Sequence, residues 1–408
     1  MKNILSFKPG HYYNYIFLGV LLIFLQTFSA SAATITSTSS GGNWNTGSTW
    51  VGGNVPAVGD LVVIATNSGN AVSLANAQTC AGITINSGAI LNLSSYTLTV
   101  NGPWLNNGTF NDDTGTVTFG TALAAINAGT GSANFENIII ASGATMNINT
   151  DVTVNGNFDF VLPAANNIVN INSTNTLDIA GNVTMNLPTA TRSSTMAVGS
   201  GTLTVSGLFN MQSQATAGRA NVITISTGTA NLNGGYSTGT TAPTISTGSK
   251  ITFTNNGTLN LSGTLSGGAP AIVQSTGTIN FKGATAQGIW LETYYNLGVF
   301  DGTKSLLGTI TVQNQLNLAS GTLQAAAFNI TISGSGDAFI ATGTFDPGTA
   351  LVTMSGASAT NIPTTTFNNL TVTNGTKTLP AGSNLVVNGN WAQNAAVVLD
   401  GDANATVF

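Results

Sequence analysis

A chain of 408 residues with 8 Lys and Arg, 13 Asp and Glu and one His carries a formal charge of −5, which excludes the clustered basic surface that nucleic-acid phosphates require. Charged residues make up 5% of the chain against about 25% in an average globular domain, so Asn, Thr, Ser and Gly must supply its solubility. A hydrophobic content of 42% excludes disorder, because such a chain can bury a core.

The first predicted element is a secretory signal peptide over residues 1–32. Lys2 and Lys8 precede the apolar run 16–25, and Ala30-Ser31-Ala32 is the small-residue site after which a signal peptidase cuts, making Ala33 the first mature residue. Ten apolar residues are too few for a membrane span, which takes about 20. No stable span is therefore expected after cleavage. Removing the leader also removes His11, the one histidine, and leaves six basic residues against thirteen acidic ones.

Residues 33–103 are expected to form an N-terminal cap and the first rungs of a stack. The stretch GGNWNTGSTWVGGNVPAVGDLVVI (41–64) holds Trp44 and Trp50, large enough to cover the open end of an apolar core. Pro56 cannot extend a ladder, and Gly59-Asp60 turns the chain into LVVI, the first continuous apolar strand. The alternative for the two tryptophans is a platform on which a sugar stacks. Cys80, the sole cysteine, lies among alternating aliphatics in AQTCAGITINSGAILNL and reads as a small buried hydrophobe. No disulfide can form within the chain.

Residues 104–408 read as the repeat region. Apolar residues recur at every second position in short runs bounded by Gly and Asn, the strand signature. YTLTVNG ends at Gly102, DVTVNG at Gly156, TLDIAG at Gly181, GTLTVSG at Gly207, GTANLNG at Gly234 and GTLNLSG at Gly263. GTINFKG ends at Gly283, NITISG at Gly334, LVTMSG at Gly356 and LVVNG at Gly389. Recurrence on this scale marks a solenoid. A larger module is visible too. GTVTFG (115–120), FENIII (135–140) and VTVNGNF (152–158) are echoed by GTINFKG (277–283), YNLGVF (295–300) and ITVQNQL (310–316), and again by ALVTMSG (350–356), FNNLTV (367–372) and LVVNGNW (385–391).

In GTLTV the Leu and Val point one way and the threonines the other. One coil cannot cover its own apolar face, so coils must stack, with their strands pairing in parallel from rung to rung. Gly and Asn are expected at the corners, Asn137, Asn296 and Asn369 among them, because both tolerate left-handed backbone. The predicted fold is all-β: a right-handed parallel β-helix, or β-solenoid, with an N-terminal cap.

The run from GNWNTGSTWVGGNVPAVGDLVVI through AGITINSGAILNL to YTLTVNG resembles the opening of large secreted surface proteins of Bacteroidetes, adhesin-like right-handed β-helix proteins, many of them cargo of type IX secretion. Trp44, Thr49-Trp50, Pro56 and Gly59-Asp60 carry the likeness, and the GTVTF, FNNLTV and LVVNG modules extend it over nearly the whole mature chain. The resemblance implies an extracellular or cell-surface role, with surface glycans, extracellular matrix or other cell-surface proteins as partners. It implies no defined catalysis and supplies no ligand-binding residues. Such proteins usually end in a C-terminal sorting domain that is not visible here. Thr406-Val407-Phe408 matches the start of another GTVTF unit, so a longer protein is expected.

Candidates for chemistry are few. Loss of His11 removes Ser-His-Asp and Cys-His schemes and His-rich metal sites. Parallel β-helices include polysaccharide lyases and glycosidases, which need two carboxyl groups about 5 to 10 Å apart. Asp112-Asp113 and the pair Asp151 and Asp159 qualify by type, but NDDTG reads as a turn. Arg192, Arg219, Lys250, Lys282, Lys304 and Lys377 are scattered along the mature sequence. IWLETYYN offers Trp290, Tyr294 and Tyr295 either to a sugar groove or to a corner folded over the core. DGDANAT places Asp400, Asp402 and Asn404 at positions one, three and five of a calcium loop, but Ala405 stands where Gly is needed. Threonine alternation suits an ice-binding face, yet the coils vary too much in length for a flat lattice. The expectation is a non-catalytic, structural or adhesive solenoid with no catalytic, cofactor or metal residues assigned. The alternative is a carbohydrate-binding or polysaccharide-degrading β-helix protein.

Overall fold

The computed structural model describes residues 32–401 and 406–407, except 121–122, 162–163, 188–190, 213–218, 240–245, 381–382 and 395–396. The signal-peptide expectation and the calcium-like residues Asp402, Asn404 and Ala405 lie outside the described residues.

Sequence alternation becomes strands of two to nine residues, and two short 3-10 turns, Gly47–Thr49 and Val51–Gly53, are the helical backbone among the described residues. The strands pair in parallel and wind into a β-solenoid of about 14 turns. Each turn lays one strand on each of three faces. Leu61–Ile64, Ala71–Ser73 and Gln78–Cys80 make one turn, and Gly82–Ile85, Ile90–Asn92 and Thr97–Val100 lie directly upon them.

The first face is an 11-stranded sheet from Thr34–Thr36 to Pro270–Val273, and the second a nine-stranded sheet from Gln78–Cys80 to Thr264–Ser266. The third begins as a four-stranded sheet and passes into a 14-stranded one that runs from Asn134–Phe135 to Trp391–Gln393. Two faces thus stop near residue 270 while the third continues. Beyond it smaller sheets, the first starting at Gln287–Ile289, rebuild the missing sides. This divides the solenoid into a first stack, 34–273, and a second, 278–401.

Inward positions form columns. Leu98, Val117, Ile138, Phe158, Val183, Phe209 and Tyr236 pair in register through seven turns, all buried. Full burial of such a side chain is worth about 1.5–3 kcal/mol, but a single turn has nothing to bury it against. Thr97 and Thr116, on the alternate positions, stay half-exposed. The larger module is three consecutive turns in one register: Val117, Ile138 and Phe158 recur as Ile279, Leu297 and Leu316 and as Val352, Leu370 and Trp391.

The corners work differently from the sequence expectation. Asn137, Asn296 and Asn369 lie in strands, and none has left-handed backbone. Asn137 Oδ1 instead accepts the Asn157 N–H at 2.9 Å; Asn157 Oδ1 accepts that of Asn182 at 3.0 Å, and Asn182 Oδ1 that of Leu208 at 2.8 Å. Asparagine is needed to tie one turn to the next. Gly181 and Gly207 also have ordinary backbone angles. They are glycine because the chain crosses too closely for a side chain: a Cβ on Gly181 would stand 2.2 Å from the Gly156 carbonyl oxygen, and one on Gly207 2.3 Å from that of Gly181. Among the described non-glycine residues the left-handed conformation falls to Ser94, Asp113, Ser173, Asp301 and Ala326.

Candidate functional site

Both aromatic groups singled out in the sequence turn inward. Trp44 and Trp50 are 0% and 2% exposed, with ring centroids 5.1 Å apart edge to face, and the Trp50 indole N–H donates to the Trp44 carbonyl at 2.6 Å. Neither can stack on a sugar. Asp60 accepts the Ala33 and Ala57 amides at 3.0 and 2.8 Å, tying the entry of the chain to the turn before Leu61. Trp290 and Tyr294 are buried as well: Trp290 packs against Tyr236 and Phe281, and the Tyr294 hydroxyl donates to the Trp290 carbonyl at 2.9 Å. Of IWLETYYN's three aromatic residues only Tyr295 is half-exposed, so the segment is a corner folded over the core where the stacks meet. Cys80 is fully buried, and burial pushes its thiol up to about 12.

The candidate carboxyl groups occupy different parts of the surface. Asp151 sits on an exposed corner, accepting the Thr176 amide at 2.8 Å. Asp159 lies on the outward side of Phe158–Phe160, where burial raises its pKa and a hydrogen bond from Thr184 opposes the rise. Asp112 is at another corner, bonded to the Glu136 amide; burial raises its pKa, and the nearby Glu136 and Asp113 charges add to the rise. Sequence reading missed Glu136 because it lies one full turn away.

Two of the scattered lysines are a matched pair. Lys304 and Lys377 are fully buried in GTKSL (302–306) and GTKTL (375–379). Lys304 Nζ donates to the Gly283 and Asp301 carbonyls, each at 2.6 Å; Lys377 Nζ donates to those of Gly356, at 2.9 Å, and Asn374. Neither is available to an acidic ligand. Burial lowers both pKa values, with the Asp301 charge opposing the fall at Lys304. The shared Gly-Thr-Lys was the available signal.

The outer side of the 14-stranded sheet carries an asparagine ladder. The Asn260 amide donates to Asn231 Oδ1 at 2.8 Å, and the Asn280 amide to Asn260 Oδ1 at 2.9 Å. The register continues from Asn280 to Gly298 and then to Asn317, so the ladder loses one side chain. A recess of about 90 Å³ opens there, lined by Thr278, Asn280, Asn296, Leu297, Gly298, Gln315 and Asn317. A Cβ on Gly298 would meet Asn280 Oδ1 at 2.0 Å and Phe300 Cε2 at 2.7 Å, which places the amide oxygen and a ring edge at the gap. Lys282 Nζ lies 5.6 Å from the Phe300 centroid. Asn296 is held in place, donating to Thr278 Oγ1 at 3.2 Å and accepting from Asn314 at 2.7 Å. No charged side chain lines the recess, so its chemistry is hydrogen bonding to neutral polar groups. Superposing the three modules would have exposed it, since Thr118 pairs with Ile139 and Thr353 with Thr371 where Asn280 meets Gly298.

Among the described residues no helix is long and apolar enough to cross a membrane. Compared with known proteins, the chain matches no family model, no curated protein and no solved structure.

Proposed function

We propose that this protein is a secreted, cell-surface structural and adhesive solenoid, exported by the signal peptide at 1–32 and working through its long polar faces rather than a deep cleft. The observation that carries the reading is the run of about 14 turns whose outward positions are rows of threonine and asparagine. A stack held by rung-to-rung hydrogen bonds is stiff along its axis and repeats its surface. Weak contacts repeated over it gain strength by multivalency. Surface glycans, extracellular matrix and other cell-surface proteins are the partners such a surface suits. Separation of Asp151 and Asp159 on a corner and a face, and engagement of Asp112 by the Glu136 amide at a corner, together with burial of Trp290 and Tyr294, support adhesion over polysaccharide cleavage.

The test couples export, adhesion and turnover. The exported chain is expected to begin at Ala33 by N-terminal sequencing. Beads coated with it should hold to glycan- or matrix-coated surfaces with a strength that climbs steeply with coating density, and should release no reducing ends from polysaccharide. Reproducible sugar release would overturn the non-catalytic reading, and failure to adhere to any surface would overturn the adhesive one.

A further inference from the structure

We propose that the recess at Gly298 binds one neutral sugar unit of a glycan. This rests on the adhesive reading and gives it a site and a ligand class. Along the ladder each asparagine oxygen is occupied by the amide of the next turn. At Gly298 that sequence stops, so Asn280 Oδ1 keeps a free acceptor position facing the gap, and the Asn317 side chain across it makes no hydrogen bond among the described residues. The two amides stand two strand spacings apart, about 9.5 Å. An acceptor on one side and an amide that both donates and accepts on the other match hydroxyl groups, each of which donates and accepts in turn. Phe300 supplies an apolar ring edge beside the gap, against which the carbon skeleton of a sugar can make van der Waals contact.

Charge decides the class. The lining has no carboxylate to exclude an anion and no cation to select a phosphate, sulfate or uronate, so neutral hydrogen-bonding groups are what it matches. Lys282 is positioned on the Phe300 ring and does not line the recess. The recess is also on the flat of a sheet, away from any strand edge, so a peptide cannot add to it as a further strand. A single shallow site of this size should bind weakly, with Kd on the order of 1 mM. Useful strength comes from many copies displayed together.

The full chain is titrated with gluco-, galacto-, manno- and xylo-oligosaccharides by saturation-transfer NMR, with sulfated and uronic-acid oligosaccharides as comparison. At least one neutral series should bind saturably. Gly298→Asn fills the gap and should weaken that binding at least tenfold while leaving circular dichroism and melting unchanged, because its Cβ meets only the movable ends of Asn280 and Phe300. Asn317→Ala, which adds no bulk, should weaken it as well. Saturable binding confined to charged sugars, no saturable binding at all, or equal binding by both variants overturns the site. The bead assay separates this from the broader reading: beads that adhere equally well with Gly298→Asn leave adhesion standing and eliminate the recess, whereas beads that never adhere remove the adhesive function itself.

Discussion

The two stacks face one problem and solve it with different chemistry. Where a face ends, inward-turned backbone carbonyls take hydrogen bonds from buried side chains. In the first stack the partners are neutral: Asn167, Asn221 and Ser249 stand with Ser194 in a buried column in register, the Ser194 hydroxyl itself having no hydrogen-bond partner among the described residues. Asn221 Nδ2 donates to the carbonyls of Met185 at 2.9 Å and Gln212 at 2.7 Å, and Ser249 Oγ to that of Met211 at 3.0 Å. In the second stack the corresponding work falls to Gln287 paired with Lys304 and Thr360 paired with Lys377, all buried. The neutral column falls on turns of 27 and 28 residues. Along the 11-stranded sheet a turn takes 21 residues where Leu61 meets Gly82 and 28 where Ile223 meets Ile251; in the second stack it takes 18 from Ile279 to Leu297 and 22 from Ile330 to Val352. The long turns from Asn167 to Ser249 carry a short polar side chain at this position. Short corners bring carbonyls of adjacent turns close enough for one ammonium group to serve both, at the cost of burying its charge.

The largest expected effect comes from comparing two glycines, one in each stack. Gly207→Ala in the first stack drives a Cβ against the backbone of Gly181, which cannot yield, and should destabilise the surrounding turns by about 3 kcal/mol. Gly298→Ala in the second meets only side-chain ends and should stay within about 0.5 kcal/mol. A solenoid unfolds locally rather than all at once, so the measurement is peptide-resolved hydrogen exchange. Protection should fall in turns next to Gly207 and remain in the second stack. Equal losses throughout would mean the stacks are one cooperative unit.

That contrast also marks how far the sequence could be read. Strands, inward columns and the three-turn module follow from period-two patterning, since Leu98, Val117 and Ile138 must face inward if their neighbouring threonines face out. Positions of the repeating glycines were legible, but the reason for them was not, because Gly181 is dictated by the Gly156 carbonyl of the preceding turn rather than by its own backbone angle. Turn-to-turn contacts join residues some 20 to 30 apart, a distance over which local propensity says nothing. The same gap hid Glu136 beside Asp112, the paired lysines and the break at Gly298. Trp44, Trp50 and Tyr294 are each compatible with a sugar platform or a core by type alone, and burial decided them.

A middle-sized effect separates the neutral column from the charged one. Asn221→Ala strands the Asn186 and Gln212 carbonyls, while that of Met185 keeps the Gln212 amide, and should cost about 2–3 kcal/mol in the first stack. Lys304→Met also strands two carbonyls but removes a buried charge, so its cost should be smaller, about 1 kcal/mol. The two differ in pH response. Burial lowers the Lys304 and Lys377 pKa values below the ordinary 10.5, so the unfolded chain holds their protons more tightly. Stability of the second stack should therefore rise as pH climbs from those lowered values to 10.5, and the rise should shrink in Lys304→Met. Hydrogen exchange corrected for its intrinsic pH dependence checks this. A rise of the same size in the first stack would remove the lysines as its source.

The smallest effect lies on the border of the stacks, at Glu292. Its Oε1 is buried without a hydrogen-bond partner, and burial pushes the carboxyl up to about 7, the Thr293 amide opposing the shift. Between its ordinary pKa of 4.5 and about 7 the folded protein keeps a proton that the unfolded chain has released. The contribution is therefore complete below about 4.5 and disappears as pH rises through 7, a loss of about 1 kcal/mol once solvent screening of a half-buried group is allowed for. Ionisation also sets a charge beside buried Tyr294, whose hydroxyl holds the Trp290 carbonyl. Fluorescence of Trp290, with the other four tryptophans replaced by Phe, should report border melting at a lower temperature at pH 7.5 than at pH 5. Glu292→Gln should abolish that difference while exchange in turns far from the border stays unchanged. If the Gln variant keeps the difference, another group on the border titrates, and the junction owes its pH response to something other than this carboxyl.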